Sequence, residues 1–310
     1  MLQHCEKVYY ILILLLIVGI GTGIVSGTSG GSIQTPQDLV RYVNEAGQFL
    51  SDNGVDRGVE MIMNGSDFFT RTGAVLSVYD QDGVLLAHPA HQDEIGENRL
   101  NLTDPYGLEI IRLERDIAKN GGGFFFLMDS ASLDATNGDP LPRLGYVHPV
   151  TDQIWIASDI SLSDKKDQKT GTPYLSGLET FVGKAVAYAR NEGNEKAINE
   201  FNDLNGSFTK GSQYIYAYDM DGIFLASPYY PDLIGTNQND VVRSYGVASV
   251  AEGIRIASGN GSGYIAFVIL NPETNKPESK LGYFERVDDT WFVGSGVYGS
   301  DLLNLASHTL

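Results

Sequence analysis

The sequence predicts an α+β fold of two tandem modules, each a long N-terminal helix packed on a roughly five-stranded antiparallel sheet, after an N-terminal transmembrane helix. Three observations lead to this prediction. The chain opens with an apolar segment, the rest of it contains the same pattern twice, and each copy begins with helical spacing and continues with strand-like alternation. A length of 310 residues also suits two domains of about 150 residues each.

The N-terminal apolar segment covers residues 9–27, where no side chain is charged over about the 20 residues that span a bilayer. Lys7 precedes the segment, so residues 1–8 are expected in the cytoplasm and the rest of the chain outside it. The small residues at its end would also suit signal-peptide cleavage, after which the protein would be secreted. The long apolar run favours the anchor, and we expect a cell-membrane protein with a single N-terminal span and an extracytoplasmic C-terminal region.

The composition limits the partners and the chemistry. A net charge of -18, from 21 basic and 39 acidic residues, argues against nucleic acid and anionic membrane surfaces as partners, because both need basic patches. Cys5 is the single cysteine, so neither an intrachain disulfide nor a cysteine-based metal site can form. The chain contains no G-x-S-x-G, H-E-x-x-H or phosphate-loop motif. We therefore expect no enzyme activity and no cofactor.

An internal repeat divides the exported part of the chain. Residues 77–89 (SVYDQDGVLLAHP) return as residues 216–228 (YAYDMDGIFLASP), and this offset of 139 continues without a gap in both directions. Near the end the offset falls to 137, where RLGY matches KLGY, and to 136, where Trp155 matches Trp291. We predict domain 1 over residues 35–162, a linker over 163–174, domain 2 over 175–300 and a tail over 301–310.

Each copy begins with an amphipathic helix and continues with strands. Apolar residues at helical spacing run to Gly54 in the first copy and to Gly193 in the second, and glycine commonly ends a helix. Residues 213–228 alternate with period two around an Asp-Gly pair, which predicts a β-hairpin. Three more strands are expected in the second copy at residues 261–270, 280–287 and 290–298.

The acidic residues around Gly222 could form a calcium loop, a catalytic pair or the turn of the hairpin. An EF-hand calcium loop with Gly222 as its sixth residue requires a glutamate at the twelfth, where Pro228 stands. The copy at Gly83 fails in the same way at Pro89. We therefore interpret both stretches as hairpin turns.

Both copies resemble the Cache domain, an extracytoplasmic sensor module with a PAS-like antiparallel sheet behind a long helix. The resemblance rests on the order of three stretches in the second copy: YIYAYDMDGIFLASP, then YGVASVAEGIRIASGNGSGYIAFVI, then NPETNKPESKLGYFERVDDTWFVGSGVY. The first copy departs from this pattern where DQIWIASDIS replaces the glycine-rich GSGVY ending. The resemblance implies two single-type Cache units in tandem. Domains of this family bind small metabolites, often short carboxylates, for a signalling protein.

We predict that one face of the sheet in each copy holds the ligand. Alternation puts Tyr214, Tyr216 and Tyr218 on one strand face, either as hydroxyl donors in a pocket or as a core. A cation is the simplest anchor for a carboxylate, and Arg143 and Lys280 stand at matching positions before LGY; a solvated strand end is the alternative for both. The candidate ligand-binding residues are Tyr214, Tyr216, Tyr218, Ser227, Lys280, Tyr283, Tyr79, His88 and Arg143.

We expect an extracytoplasmic sensing protein that binds a small molecule. A short organic acid is favoured, and an amine or an amino acid stays open. We expect no transmitter domain in this chain, so a separate membrane protein would carry the signal, and the leading helices could form a homodimer. The alternative is a cell-surface structural or interaction ectodomain whose repeats bind no ligand.

Overall fold

The computed structural model describes residues 31–133, 138–162 and 174–302. The predicted transmembrane helix, the predicted cytoplasmic N-terminus and nearly all of the predicted linker lie outside these ranges. None of the helices within the ranges combines the length and the apolar character that a membrane span requires. The described residues form two modules, which we call the N-terminal module, up to residue 162, and the C-terminal module, from residue 174.

Each module consists of helices and one main sheet. The N-terminal module contains α1 (Pro36–Asn53), α2 (Val55–Met63), α3 (Ile110–Lys119), β1 (Ser77–Asp80), β2 (Leu85–Ala87), β3 (Gly123–Leu133), β4 (Pro140–Pro149) and β5 (Ile154–Ser161). The C-terminal module contains α4 (Tyr174–Glu192), α5 (Asn194–Phe201), α6 (Ser249–Ser258), β6 (Thr209–Lys210), β7 (Gln213–Tyr214), β8 (Tyr216–Asp219), β9 (Phe224–Ala226), β10 (Ser262–Asn271), β11 (Lys276–Arg286) and β12 (Trp291–Tyr298). The strands β6 and β7 form a separate short pair.

The two main sheets have the same strand order. The N-terminal sheet runs β2-β1-β5-β4-β3 and the C-terminal sheet runs β9-β8-β12-β11-β10, with every neighbouring pair antiparallel. The helix α1 packs on β4 and β5, and α4 packs on the equivalent strands β11 and β12. The α+β class and the two five-stranded antiparallel sheets behind long helices are therefore as predicted. The shorter helices α2, α3, α5 and α6 were not predicted.

The leading helices end where the sequence indicates. At the start of α1, the Thr35 side chain accepts a hydrogen bond from the N–H of Asp38, whose carboxylate accepts one from the N–H of Thr35. The helix α1 ends at Gly54 and α4 is followed by Gly193. Both glycines have positive φ (93° and 87°), which glycine adopts without the steric strain that a Cβ atom would introduce.

The acidic residues of the repeated motif form hairpin turns, as predicted. The Oδ1 atom of Asp219 accepts hydrogen bonds from the backbone N–H groups of Asp221 (3.0 Å) and Ile223 (2.8 Å). Asp80 accepts the equivalent pair in the N-terminal module, at 3.0 and 2.9 Å. Gly222 has a φ of 85°, which the turn requires. The first aspartate of each motif is therefore an acceptor for its own turn.

The strand register corrects one part of the predicted repeat. Asp80 pairs with Ile154 in the N-terminal sheet, whereas Asp219 pairs with Trp291 in the C-terminal sheet. The equivalent of Trp291 is therefore Ile154, and the offset stays at 137 through β5 and β12. A shift of one residue moves a side chain to the opposite face of a strand. Trp155 accordingly faces α3, whereas Trp291 packs in the core under α4 and α5.

The modules contact each other through equivalent residues. Tyr245 of the C-terminal module donates a hydrogen bond from its hydroxyl to Oδ2 of Asp116 on α3 (3.0 Å). The guanidinium of Arg255 on α6 lies 5.2 Å from the centre of the Tyr106 ring in the N-terminal module. The two tyrosines are related by the repeat offset, and so are Asp116 and Arg255. Each module thus presents the same two positions to the other, as in a two-fold symmetric interface.

Candidate ligand-binding sites

A small pocket lies on the face of the C-terminal sheet that is opposite to α4. We call it the tyrosine pocket, because tyrosines of β7, β8 and the segment between β9 and α6 line it. Its volume is about 30 Å³, which is room for about one or two water molecules or a ligand of a few heavy atoms. Its lining residues are Tyr214, Tyr216, Tyr218, Phe224, Ser227, Tyr230, Arg243, Ser249, Val250, Phe267, Ile269, Lys280 and Phe284.

Strand alternation directs three tyrosines into the pocket, as the sequence predicts. Tyr214, Tyr216 and Tyr218 are all buried, whereas the intervening Ile215 and Ala217 belong to the core on the helix side of the sheet. Burial raises the pKa of Tyr218 to about 12 and raises the pKa values of Tyr214 and Tyr216 well above the ordinary value of a tyrosine. The three hydroxyls therefore stay protonated at neutral pH and can donate hydrogen bonds.

Glycines in β11 and β12 provide the space for Tyr216. A Cβ atom at Gly294 would lie 2.6 Å from the Tyr216 ring, and one at Gly282 would lie 3.2 Å from the Tyr216 hydroxyl oxygen. The N-terminal module has Ser77 at the position of Tyr216 and Ala157 at the position of Gly294. The first glycine of the GSGVY ending, Gly294, is therefore explained by the aromatic ring that lies over it.

Lys280 is a buried cation among aromatic rings. It is 1% exposed, and its Nζ atom lies 4.4 Å from the centre of the Tyr214 ring and 4.6 Å from that of Tyr298. These cation–π contacts offset part of the lost hydration. Burial nevertheless lowers the pKa of Lys280 to about 7, against the opposing effect of Asp301. A negative ligand beside Nζ would favour the charged form of this lysine.

Arg243 is a second cation of the pocket, and the sequence analysis missed it. It lies between β9 and α6, where its Nε donates a hydrogen bond to Oγ of Ser249 (3.3 Å). No Asp or Glu lines the tyrosine pocket, and neither Arg243 nor Lys280 forms a salt bridge with any described residue. The sequence did contain an indication of Arg243, because the repeat offset aligns it with Asp104 of the first copy, a residue of opposite charge.

The remaining predicted residues of this module lie on different faces of the sheet. Ser227 is 1% exposed and lines the pocket. Tyr283 does not line it: its ring lies 4.8 Å from the Tyr264 ring, in the core under α4. Lys280 and Phe284 of β11 face the pocket, so strand alternation turns Tyr283 to the other side. The prediction of Tyr283 as a pocket residue is therefore wrong, because the alternation of side chains along β11 turns Tyr283 away from the face that carries Lys280.

Residues 183–309 match the family model described as Single Cache domain 2, and this range contains every residue of the tyrosine pocket. The C-terminal module is a Cache domain. The match begins within α4 and covers the whole sheet of this module. A comparison with curated proteins found no match.

Several solved structures are similar to the chain. A methyl-accepting chemotaxis protein from Vibrio parahaemolyticus RIMD 2210633 is 25% identical over 41% of this chain and 90% of its own, with a TM-score of 0.37. A Cache chemosensory domain studied for carboxylic acid recognition is 24% identical over 40% of this chain and 84% of its own, with a TM-score of 0.31. The ligand-binding domain of a Pseudomonas fluorescens chemoreceptor in complex with L-isoleucine is 12% identical over 86% and 85%, with a TM-score of 0.24.

The N-terminal module has a larger cavity on the equivalent face of its sheet. It measures about 720 Å³, and we call it the open cavity. The predicted residues Tyr79, His88 and Arg143 line it. Ser77 stands where the Cache domain has Tyr216, so no aromatic ring from this position fills the space. The charged residues that line the open cavity are Arg71, Arg99, Arg143, Glu94, Asp104, Glu114, Asp129 and Asp159.

Arg143 of the open cavity is paired within its own module. Its guanidinium forms salt bridges with Asp159 and, at 3.5 Å, with Asp129. The strand register shows that the Cache domain has Gly296 in place of Asp159 and Ile269 in place of Asp129. The equivalent cations are therefore neutralised in one module and unpaired in the other.

The other two predicted residues, Tyr79 and His88, also line the open cavity. Tyr79 stacks on Trp155, with 5.5 Å between the ring centres. The His88 ring lies 4.5 Å from that of His91, and burial lowers the pKa of His88 to about 4, so its imidazole is neutral at physiological pH. His88 occupies the position of Ser227 in the Cache domain.

Proposed function

We propose that the Cache domain is an extracytoplasmic sensor domain that binds a short carboxylate in the tyrosine pocket. The observation that carries the proposal is the pair of cations, Lys280 and Arg243, in a pocket without any acidic lining residue. Lys280 is buried and Arg243 is half-buried, both without an acidic partner among the described residues, so an anionic ligand that neutralises both would be favoured over water. The chain as a whole carries a charge of -18, which makes this local excess of positive charge unusual.

The two cations would have different roles in binding. Arg243 offers a planar fork that can hold both oxygens of a carboxylate, whereas Lys280 acts as a point charge. The tyrosine hydroxyls and Ser227 supply neutral donors at the wall. A volume of about 30 Å³ limits the ligand to a small acid, of the size of acetate or propionate.

In this proposal residues 9–27 anchor the protein, and occupancy of the pocket is passed to a separate membrane protein. The membership of the C-terminal module in a Cache family supports a sensing role. The alternative, a surface domain that binds no ligand, is favoured by one observation: the aromatic side chains leave little free volume in the pocket.

Isothermal titration of the purified full chain with acetate and propionate tests the proposal, with chloride at equal ionic strength as the reference. Lys280→Met keeps the volume and removes the charge, and we expect affinity to fall about tenfold or more, since hydrogen bonds to charged groups contribute about 1.5–3 kcal/mol. Arg143→Met is the matched control, because it removes the equivalent cation of the other module and should leave this affinity unchanged.

The pH dependence gives a second readout. Lys280 is half protonated near pH 7 without ligand, so an anion that favours its charged form should bind with uptake of protons and more weakly as pH rises above 7. Absence of binding to the wild-type protein, or equal affinity in Lys280→Met, would contradict the carboxylate proposal and favour the domain without a ligand.

A further inference from the structure

We propose that the N-terminal module binds a small organic cation, of the primary ammonium class, in the open cavity, with Glu114 as its carboxylate partner. This site lies outside the range that matches the Cache family and takes the opposite charge from the tyrosine pocket. It does not depend on the carboxylate proposal. A cavity of about 720 Å³ is in the size range of small-molecule sites in proteins.

The basic residues of the open cavity already have partners. Arg143 pairs with Asp159 and Asp129, and Arg99 forms a salt bridge with Glu94. The remaining one, Arg71, directs its Nη1 atom to three backbone carbonyl groups. The lining contains five acidic residues and these three arginines, so carboxylates outnumber guanidinium groups even when Glu114 is protonated. A positively charged ligand group would balance that excess.

Glu114 is the acid best placed to receive the ligand. It projects from α3, is 5% exposed and lines the cavity. Its Oε2 atom accepts a hydrogen bond from Nε1 of Trp155 (3.2 Å), which orients the carboxyl group. No described residue forms a salt bridge or a hydrogen bond with its second oxygen, Oε1. A buried acid with one oriented and one available oxygen suits an ammonium group, which requires strong acceptors.

Aromatic and acidic neighbours of Glu114 suit the same ligand class. The Tyr79 ring lines the cavity and stacks on Trp155, and aromatic faces attract organic cations. Asp104 adds a second negative group; its oxygens accept hydrogen bonds from three backbone N–H groups. The equivalent of Asp104 in the Cache domain is Arg243, and the equivalent of Glu114 is Gly253. The position of Asp104 thus carries the opposite charge in the Cache domain, and the position of Glu114 carries no charge there.

Ionisation of Glu114 should be coupled to binding. Burial raises the pKa of Glu114 to about 8, so most of the group is protonated at pH 7. A bound ammonium group would favour the carboxylate form and release about one proton per ligand. The titratable and charged groups that share the cavity are Tyr79 on β1, His88 and His91 after β2, Asp129 on β3, Arg143 on β4, Asp159 on β5 and Asp104 before α3, together with Arg71 and the Arg99–Glu94 pair.

Isothermal titration of the full chain tests the proposal with three probes of similar length: n-butylamine, 1,4-diaminobutane and, as the neutral control, n-butanol. We expect the amines to bind at least tenfold more tightly than butanol, with affinity rising between pH 6 and 8. Glu114→Gln should reduce amine affinity at least tenfold and abolish the proton release. Lys280→Met is the matched control and should leave amine binding unchanged.

Proton release is measured on the wild-type protein by repeating the titration in buffers with different ionisation enthalpies, so the test does not depend on a variant that folds. No amine binding, equal affinity for butanol, or unchanged binding and proton release in Glu114→Gln would overturn the proposal. Acetate titrations of the same samples report on the tyrosine pocket, so failure of one site is distinguishable from failure of the other.

Discussion

The two modules share one scaffold and differ in what fills the same face of the sheet. Both have the same strand order, the same hairpin turn and a leading helix followed by glycine. In the Cache domain, Tyr216 lies across that face over Gly294, and Lys280 has no acidic partner. In the N-terminal module the open cavity lies on this face, and the equivalent cation, Arg143, forms salt bridges with Asp129 and Asp159. Two copies of one backbone can therefore differ in the charge and the filling of the same sheet face through a few side chains.

The largest expected effect concerns the aromatic ring that distinguishes the two faces. Tyr216→Ser introduces the residue of the N-terminal module and should lower the free energy of unfolding by about 3 kcal/mol, since it removes a buried ring. Gly294→Ala should lower it by about 1–3 kcal/mol, because the new Cβ atom meets that ring.

The double variant Tyr216→Ser/Gly294→Ala introduces the pair of residues that the N-terminal module has at Ser77 and Ala157. Once the serine is present, the added alanine should cost less than 1 kcal/mol, and urea denaturation of all four proteins measures this coupling. Additive effects of the two substitutions would show that something other than the Tyr216 ring requires a glycine at position 294.

An effect that is smaller per pH unit is the opposite pH dependence of stability in the two modules. Between about pH 4.5 and 8 the folded chain keeps a proton on Glu114 that the unfolded chain loses, so this group makes stability fall as pH rises. Between about pH 7 and 10.5 the unfolded chain keeps a proton on Lys280 that the folded chain loses, so stability rises with pH. Each slope should approach about 1 kcal/mol per pH unit.

Urea denaturation at a series of pH values checks these signs. Glu114→Gln should remove the decrease of stability with pH, and Lys280→Met should remove the increase. Lys280→Met should also raise stability at pH 6, where the wild-type protein buries an ammonium group. If both variants kept the wild-type pH profile, the two groups would not be the buried titrating residues that the structure indicates.

The smallest expected effect is a change of ligand class in the open cavity. Asp159→Asn removes one partner of Arg143 and makes the N-terminal module more like the Cache domain. We expect weak binding of acetate at a second site, so that the stoichiometry from isothermal titration rises above one. The reverse substitution, an aspartate at Gly296 of the Cache domain, is sterically unfavourable, because a Cβ atom at Gly296 would lie 2.6 Å from the Lys280 side chain. An unchanged stoichiometry would show that pairing of the cation is not what separates the modules.

Much of the candidate site could be predicted from local pattern. Period two was sufficient to place Tyr214, Tyr216 and Tyr218 together, because a strand turns alternate side chains to one face. The same rule, applied from Lys280, would have excluded Tyr283. Arg243 was missed because it lies in an irregular segment, where no periodicity indicates direction.

The repeat is visible in the sequence, and the α+β class, the leading helices and the hairpin turns could be predicted because they depend on spacing within a few residues. Which of the two equivalent cations forms salt bridges depends on the three-dimensional packing of the strands. Asp129 and Asp159 contact Arg143 from the two strands that flank β4. At the equivalent positions beside Lys280 stand Ile269 and Gly296, which have no charge and cannot form a salt bridge. Such neighbours are distant along the chain, so the charge of each cavity is a property of strand register rather than of any local motif.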